Sequence, residues 1–252
     1  MPLLPIGQLV KADSKGVLPR IGRSPDPSWS TTLNDLTKQL RTAMKDRNFS
    51  IALRGSVARG ASINEAADLD LVILYDGRPP MAVSLQSNVS PQLSIEASYV
   101  PLKELETHDT WIWMRFMLAH NGHTIHGPDL LSALPEPRIG PHCYAHLRNA
   151  DRWLQEWRSF WEQDEDHHAI CEWLMKRIVR SLFESQITRI NAFSRDIYPC
   201  CQVAMDAFPE SRKAIKRAAE LAVEPIANHS VIADIVRELS GPLLTKQSEL
   251  GM

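Results

Sequence analysis

The apolar positions of this 252-residue chain change their period near its middle. Before about residue 134 the pattern mixes one helical stripe with short apolar runs; after residue 141 it is helical throughout. Leu33, Leu36, Leu40 and Met44 recur at helical spacing behind Ser30, a favourable cap, and predict a helix over 30–46. Short apolar runs predict strands at about 49–54, 69–76 and 92–100. In the last run Leu93, Ile95, Ala97 and Tyr99 fall on one face, and Ser94, Glu96 and Ser98 on the other. A helix near 109–120, a short strand at Thr124–His126 and a helix at Pro128–Ala133 are expected to close this region. Residues 77–91, rich in Pro, Ser and Asn, read as a loop.

The segment Leu134–Pro141 carries three prolines in eight residues and reads as a linker. Beyond it, helices are expected over 142–162, 166–195, 200–207, 210–223 and 230–239. Trp153, Trp157 and Trp161 repeat every four residues on one face, a stripe that suits packing between helices or stacking of a ring. The expected fold is therefore α/β, a mixed-sheet core followed by an all-α helical bundle. Its parts are an N-terminal arm (1–28), an α/β domain (29–133) and a C-terminal helical domain (142–252).

Charge narrows the partners. The net charge of −2 gives no global pull toward nucleic acid or anionic lipid, so a nucleic-acid substrate would need a local patch or an RNA end. Arg212, Lys213, Lys216 and Arg217 form one basic run, which suits a solvated helix face better than RNA. No run approaches the ~18 apolar residues of a membrane helix, and no signal peptide is evident, so a cytoplasmic protein is expected. Cys143, Cys171, Cys200 and Cys201 form no CxxC pair and are expected to be reduced and mostly buried. His142, Cys143 and His146 match no standard zinc spacing.

The chemistry concentrates in residues 54–76, RGSVARGASINEAADLDLVILYD. An apolar strand breaks at Gly55-Ser56, a loop of small residues follows, and a second strand opens with Asp68 and Asp70. Side chains alternate along a strand, so these two carboxylates point the same way, about 6–7 Å apart at Cα. That spacing suits a pair of divalent cations roughly 3.5–4 Å apart. The Gly-Ser turn offers backbone N–H groups and a hydroxyl, which suit a phosphate.

These residues resemble a family. Gly55-Ser56, followed after eleven residues by Asp68-Leu69-Asp70-Leu71, is similar to the signature of the DNA polymerase β-type nucleotidyltransferase superfamily, and the form of Gly55–Gly60 is similar to its small bacterial members. The signature covers about a tenth of the chain, and with its flanking elements the resemblance extends over roughly residues 30–133. Ala67 stands where many relatives have Ser.

The resemblance implies an Mg²⁺-dependent enzyme that moves a nucleoside monophosphate from an NTP, ATP first among them, to a hydroxyl acceptor. It implies two Mg²⁺ ions on Asp68 and Asp70, with Glu96 as the third acid that ligates metal or accepts the acceptor's proton. Gly55 and Ser56 would hold the β- and γ-phosphates, and Arg59 would pair with the triphosphate. Relatives with a helical C-terminal domain often draw basic groups from it; Lys176 and Arg180 are the candidates, although Glu172, Lys176 and Arg180 also suit a solvated helix face. The acceptor stays open among a small molecule, a protein side chain and an RNA end. The alternative is a non-catalytic nucleotide- or protein-binding member of the same fold.

Overall fold

The computed structural model describes residues 7–45, 47–64, 68–78, 80, 83–87, 93–163 and 166–252. The chain divides into two compact units, Val17–Arg138 and the described residues up to Gly16 together with Ile139–Met252. The segment read from sequence as an arm is thus split, and in both parts it is bonded rather than loose. Val10–Lys11 forms strand β1, which pairs antiparallel with a later strand, Ala192–Phe193. In the other unit, Leu18 is 2% exposed and its N–H donates to the Pro137 carbonyl. Ile21 N–H donates to His120 O and Arg23 N–H to Ala58 O, while the Arg20 guanidinium donates to the carbonyls of Leu131 and Leu134. A segment without hydrophobic period can still be fixed by its backbone, and that is what periodicity fails to report.

The sheet unit follows the expected order of elements. Helix α1 (Ser30–Ala43) leads into β2 (Phe49–Arg54), a single turn α2 (Gly55–Ala58), β3 (Asp68–Tyr75) and β4 (Ser94–Pro101). Two short helices, α3 (Leu102–Thr107) and α4 (Ile112–Asn121), precede β5 (His123–His126). The expected helix over 128–133 is a turn instead. The Asp129 carboxylate accepts from Leu131 N–H and Thr124 Oγ, holding the backbone out of a helix.

The strands form one sheet in the order β4-β3-β2-β5. β3 and β4 run parallel, and the other pairs are antiparallel. Alternation gives the sheet two different faces. Ile51, Leu53, Leu69, Leu71 and Ile73 pack with Trp29, Leu33, Leu36, Leu40 and Met44 from α1 and the turn before it. Ala52, Val72, Leu74 and Val100 look the other way and pack with Leu105 of α3 and Leu118 and Ala119 of α4.

The second unit is helical. After two 3₁₀ turns come α5 (Ala150–Glu162), α6 (His167–Glu184), α7 (Ile187–Ile190), strand β6 (Ala192–Phe193), α8 (Ile197–Ala207), α9 (Arg212–Leu221) and α10 (His229–Glu249). The helix expected over 166–195 is broken up: α6 ends at Glu184, and the short α7 ends where Asn191 adopts the left-handed conformation, φ 48°, before β6. The last helix runs ten residues past the expected end at 239, carrying Pro242 inside it. Ile232, Ile235, Val236, Leu239 and Leu243 keep one face of it buried, and that burial outweighs the breaker signal of Gly241-Pro242.

Trp153 and Trp157 of the tryptophan stripe are buried, and Trp161 stacks on His167 at 4.0 Å. Arg212, Lys213, Lys216 and Arg217 are exposed, and Arg212 pairs with Asp206 at 3.1 Å. All four cysteines are free and buried; desolvation pushes the Cys143 and Cys200 thiols up to about 12, which makes them poor nucleophiles. Among the described residues, no helix is long and apolar enough to cross a membrane.

His120, on α4, is 2% exposed and its Nδ1–H donates to the Pro19 carbonyl at 2.8 Å. Burial lowers its pKa to about 4, the Pro19 bond acts in the opposite sense, and the nearby Arg59 charge lowers it further. The unfolded chain then binds a proton at His120 at pH values where the folded chain does not. Stability from this ring is complete above about pH 6.5 and is lost as pH falls toward about 4. The ring should cost about 2 kcal/mol between pH 7 and pH 5. An NMR titration checks this directly: the His120 ring should stay neutral above about pH 5, and a midpoint near 6.5 would contradict its burial.

Candidate active site

The charged end of the sheet arises from register. Arg54, Asp70 and Glu96 lie directly opposite one another on β2, β3 and β4. All three belong to the face that carries Ala52, Val72, Leu74 and Val100 deeper in the sheet. That face is apolar where α3 and α4 cover it and turns charged toward the start of β3. Asp68 sits two residues before Asp70, on the same face, opposite Ser94. Asp68 and Asp70 are half-buried, and the Glu96 side chain is 62% exposed. The structure therefore brings Asp68, Asp70 and Glu96 onto one face of one sheet, through the pairing of β3 with β4.

The patch also holds a residue that the sequence reading passed over. Arg54 Nη2 lies 2.5 Å from Asp70 Oδ1 and 3.5 Å from Glu96 Oε2. Its position was readable in principle: it precedes Gly55 and shares the face of Ala52, one pair from the sheet's end. Among the described residues, no three His, Cys, Asp or Glu side chains converge on one metal position. The acids do supply hard oxygen donors on adjacent strands, the donor type that Mg²⁺ takes. Donor chemistry and backbone placement fit the ion, while the guanidinium stands against two of the three carboxylates.

The turn beside the acids is shaped by a glycine. Gly55 has φ +75°, and a Cβ built on it would run into Asp70 Oδ2. The peptide after Arg54 can turn this sharply, this close to a carboxylate, only without a side chain. Ser56 follows and opens the single helical turn, its carbonyl accepting from the N–H groups of Arg59 and Ala61. Gly60, φ +93°, leaves room for the Arg23 guanidinium, a second basic group missed in the sequence. Arg59 is half-buried and close enough to His120 to act on its proton affinity. Ala67, with residues 65 and 66, lies outside the described residues.

Lys176 and Arg180 are on α6 of the helical unit and are engaged there. Lys176 pairs with Glu172, and Arg180 Nε donates to the Arg195 carbonyl at 3.1 Å. The same unit buries a polar cluster. Glu184, 2% exposed, accepts from the backbone N–H of His146 and Leu147 and from His146 Nδ1–H at 2.7 Å. Arg195 Nη1 stands 3.9 Å from the same carboxylate. Three donors and a cation satisfy this buried acid, which explains why it is tolerated in a helix core.

No protein-family model matches the chain, and no curated protein sequence matches it. Among solved structures, it is similar to a crystal structure of spectinomycin adenyltransferase AAD(9) from Enterococcus faecialis with ATP and spectinomycin. The TM-score is 0.53 at 14% sequence identity, covering 84% of this chain and 99% of that one. The likeness establishes a shared fold: a mixed α/β core with a helical C-terminal region.

The conformation of Gly55 gives a paired prediction. Gly77 also has positive φ, +83°, but a Cβ there meets nothing within 4 Å. Gly77→Ala should cost about 1 kcal/mol, from backbone conformation alone. Gly55→Ala adds the collision with Asp70 and should cost at least about 1 kcal/mol more. Urea midpoints of the two variants decide it; equal losses would mean that Asp70 is not held against the turn.

Proposed function

We propose that this protein is an Mg²⁺-dependent nucleotidyltransferase that moves a nucleoside monophosphate, AMP first among them, from an NTP to a hydroxyl acceptor. One observation carries the reading: Asp68, Asp70 and Glu96 share one end of a sheet face, beside a Gly55-Ser56 turn, in a nucleotidyltransferase-type fold. In the balanced reaction, the acceptor oxygen bonds to the α-phosphorus, the bond to the bridging oxygen of pyrophosphate breaks, and the hydroxyl proton leaves to a base.

Each residue has a role that its surroundings support. Asp68 and Asp70 would hold Mg²⁺, and Glu96 would complete the set. The bound metal supplies positive charge against the charge that develops on the α-phosphate and pyrophosphate. Glu96, with its side chain 62% exposed, is the carboxylate best placed to receive the acceptor's proton. The Gly55 and Ser56 backbone would cradle the β- and γ-phosphates, with the Ser56 hydroxyl as a further donor. Arg59 would neutralise triphosphate charge from the end of the same turn. The AAD(9) structure contains ATP and spectinomycin, which favours a small-molecule acceptor over a protein side chain or an RNA end. A second reading, a nucleotide- or protein-binding member without transfer, draws on the Arg54 contacts that already neutralise Asp70 and Glu96.

Transfer with α-labelled ATP separates the two. With Mg²⁺ and a panel of hydroxylated small molecules, proteins and RNA, the wild-type protein should release pyrophosphate and label one acceptor class. Asp68→Ala and Asp70→Ala should abolish the gain in nucleotide affinity that Mg²⁺ brings. Glu96→Gln should lower transfer by about 10²–10⁴-fold while keeping much of that affinity. Equal nucleotide binding in Mg²⁺ and in EDTA, with no label on any acceptor, would replace the transferase reading by the binding one.

A further inference from the structure

We infer that Arg54 is a built-in counter-cation for the acidic patch: its guanidinium competes with free divalent metal for Asp70 and Glu96, so that metal enters productively only together with the anionic nucleotide. The inference rests on the acids being the metal site proposed above and adds the device that controls its filling.

Three features support it. The first is position. Arg54 is the last residue of β2, and its register partner is Asp70, whose own partner is Glu96. The guanidinium is therefore delivered to the patch by the sheet, not by a mobile loop. The second is geometry. A single nitrogen, Nη2, reaches both carboxylates that would hold the metal, at 2.5 and 3.5 Å. A divalent ion held by the same two carboxylates would be repelled by the guanidinium already paired with them. The third is an unmet donor. Arg54 Nε is buried and has no hydrogen-bond partner. A buried unsatisfied N–H is unfavourable, so the side chain stands to gain from an acceptor brought to it.

A triphosphate meets both needs. Its oxygens offer the guanidinium a new anionic partner, for which the planar fork is suited, and its charge brings the divalent ion with it. Free metal brings no such partner and must displace Arg54 at full electrostatic cost. Arg54 thereby acts as a positioning residue. It holds Asp70 and Glu96 in place when the site lacks metal and yields them when the metal–nucleotide complex arrives.

The test reads metal binding and requires no transfer. Mn²⁺ binding is measured by EPR, without nucleotide and with a non-hydrolysable ATP analogue, for the wild type, Arg54→Met and Arg54→Lys. Arg54→Met should bind free Mn²⁺ at least tenfold more tightly than wild type. Arg54→Lys, which keeps the charge, should stay within about threefold of wild type. The analogue should raise Mn²⁺ affinity more in wild type than in Arg54→Met. Free Mn²⁺ bound no better by Arg54→Met than by wild type would overturn the inference, as would the absence of Mn²⁺ binding in all three.

Should Arg54→Met fail to fold, the wild-type protein still answers. Its Arg54 Nε–H resonance should move on adding Mg²⁺ with the analogue and stay in place with Mg²⁺ alone. Movement with Mg²⁺ alone, or none with both, would equally overturn the inference. Tighter Mn²⁺ binding in Arg54→Met from a protein that labels no acceptor would uphold this inference and remove the transferase reading, so the two fail separately.

Discussion

The site depends on one row of the sheet, in which Arg54, Asp70 and Glu96 face each other across three strands. The row is a consequence of register. A shift of one residue in β3 would bury Asp70 and present Leu69 or Leu71 to the charged end. Register is in turn fixed by the apolar halves of the same strands. Leu69, Leu71 and Ile73 must meet α1 on one face, and Val72 and Leu74 must meet α3 and α4 on the other. Burial of these side chains therefore positions Asp68, Asp70 and Glu96, although none of the three lies in the core.

The row also shows how two like charges are kept together. Asp70 and Glu96 on neighbouring strands repel, and exposure of Glu96 relieves only part of that repulsion. A guanidinium between them removes much of the rest. In most polar clusters such a cation is only a stabiliser. Here it stands where the proposed chemistry needs a metal, so the contacts that hold the resting site are those that nucleotide binding must exchange. The Gly55 turn ties the two together, because its bare α-carbon lies against the Asp70 carboxylate.

Legibility in the sequence followed the strength of the physical signal. Alternation in β3 sets Asp68 and Asp70 on one face, and alternation in β4 sets Glu96 on that strand's polar side, because a period of two leaves no freedom; that the two faces coincide depends on strand pairing. The helices of the second unit were legible as a class, but their ends were not. Pro242 and Gly241 read as a stop, and the buried face of α10 overrode them. Asn191 ended a helix with a left-handed residue that the apolar period could not announce. Residues 17–23 were missed because backbone hydrogen bonds, which carry no side-chain pattern, hold them. Arg54 was missed for a different reason. An arginine at a strand end looks solvated until the strand's partner is known, and pairing of β2 with β3 is a tertiary fact.

In this proposal the acids at the end of the sheet receive metal and triphosphate together while Arg54 gives them up. A crystal structure with Mg²⁺ and a non-hydrolysable ATP analogue tests it most directly. The β- and γ-phosphates should lie against Gly55 and Ser56, Mg²⁺ on Asp68 and Asp70, and the Arg54 guanidinium should be withdrawn from Asp70. A nucleotide bound elsewhere, or bound at the turn with the Arg54–Asp70 pair intact and no metal on the acids, would contradict it.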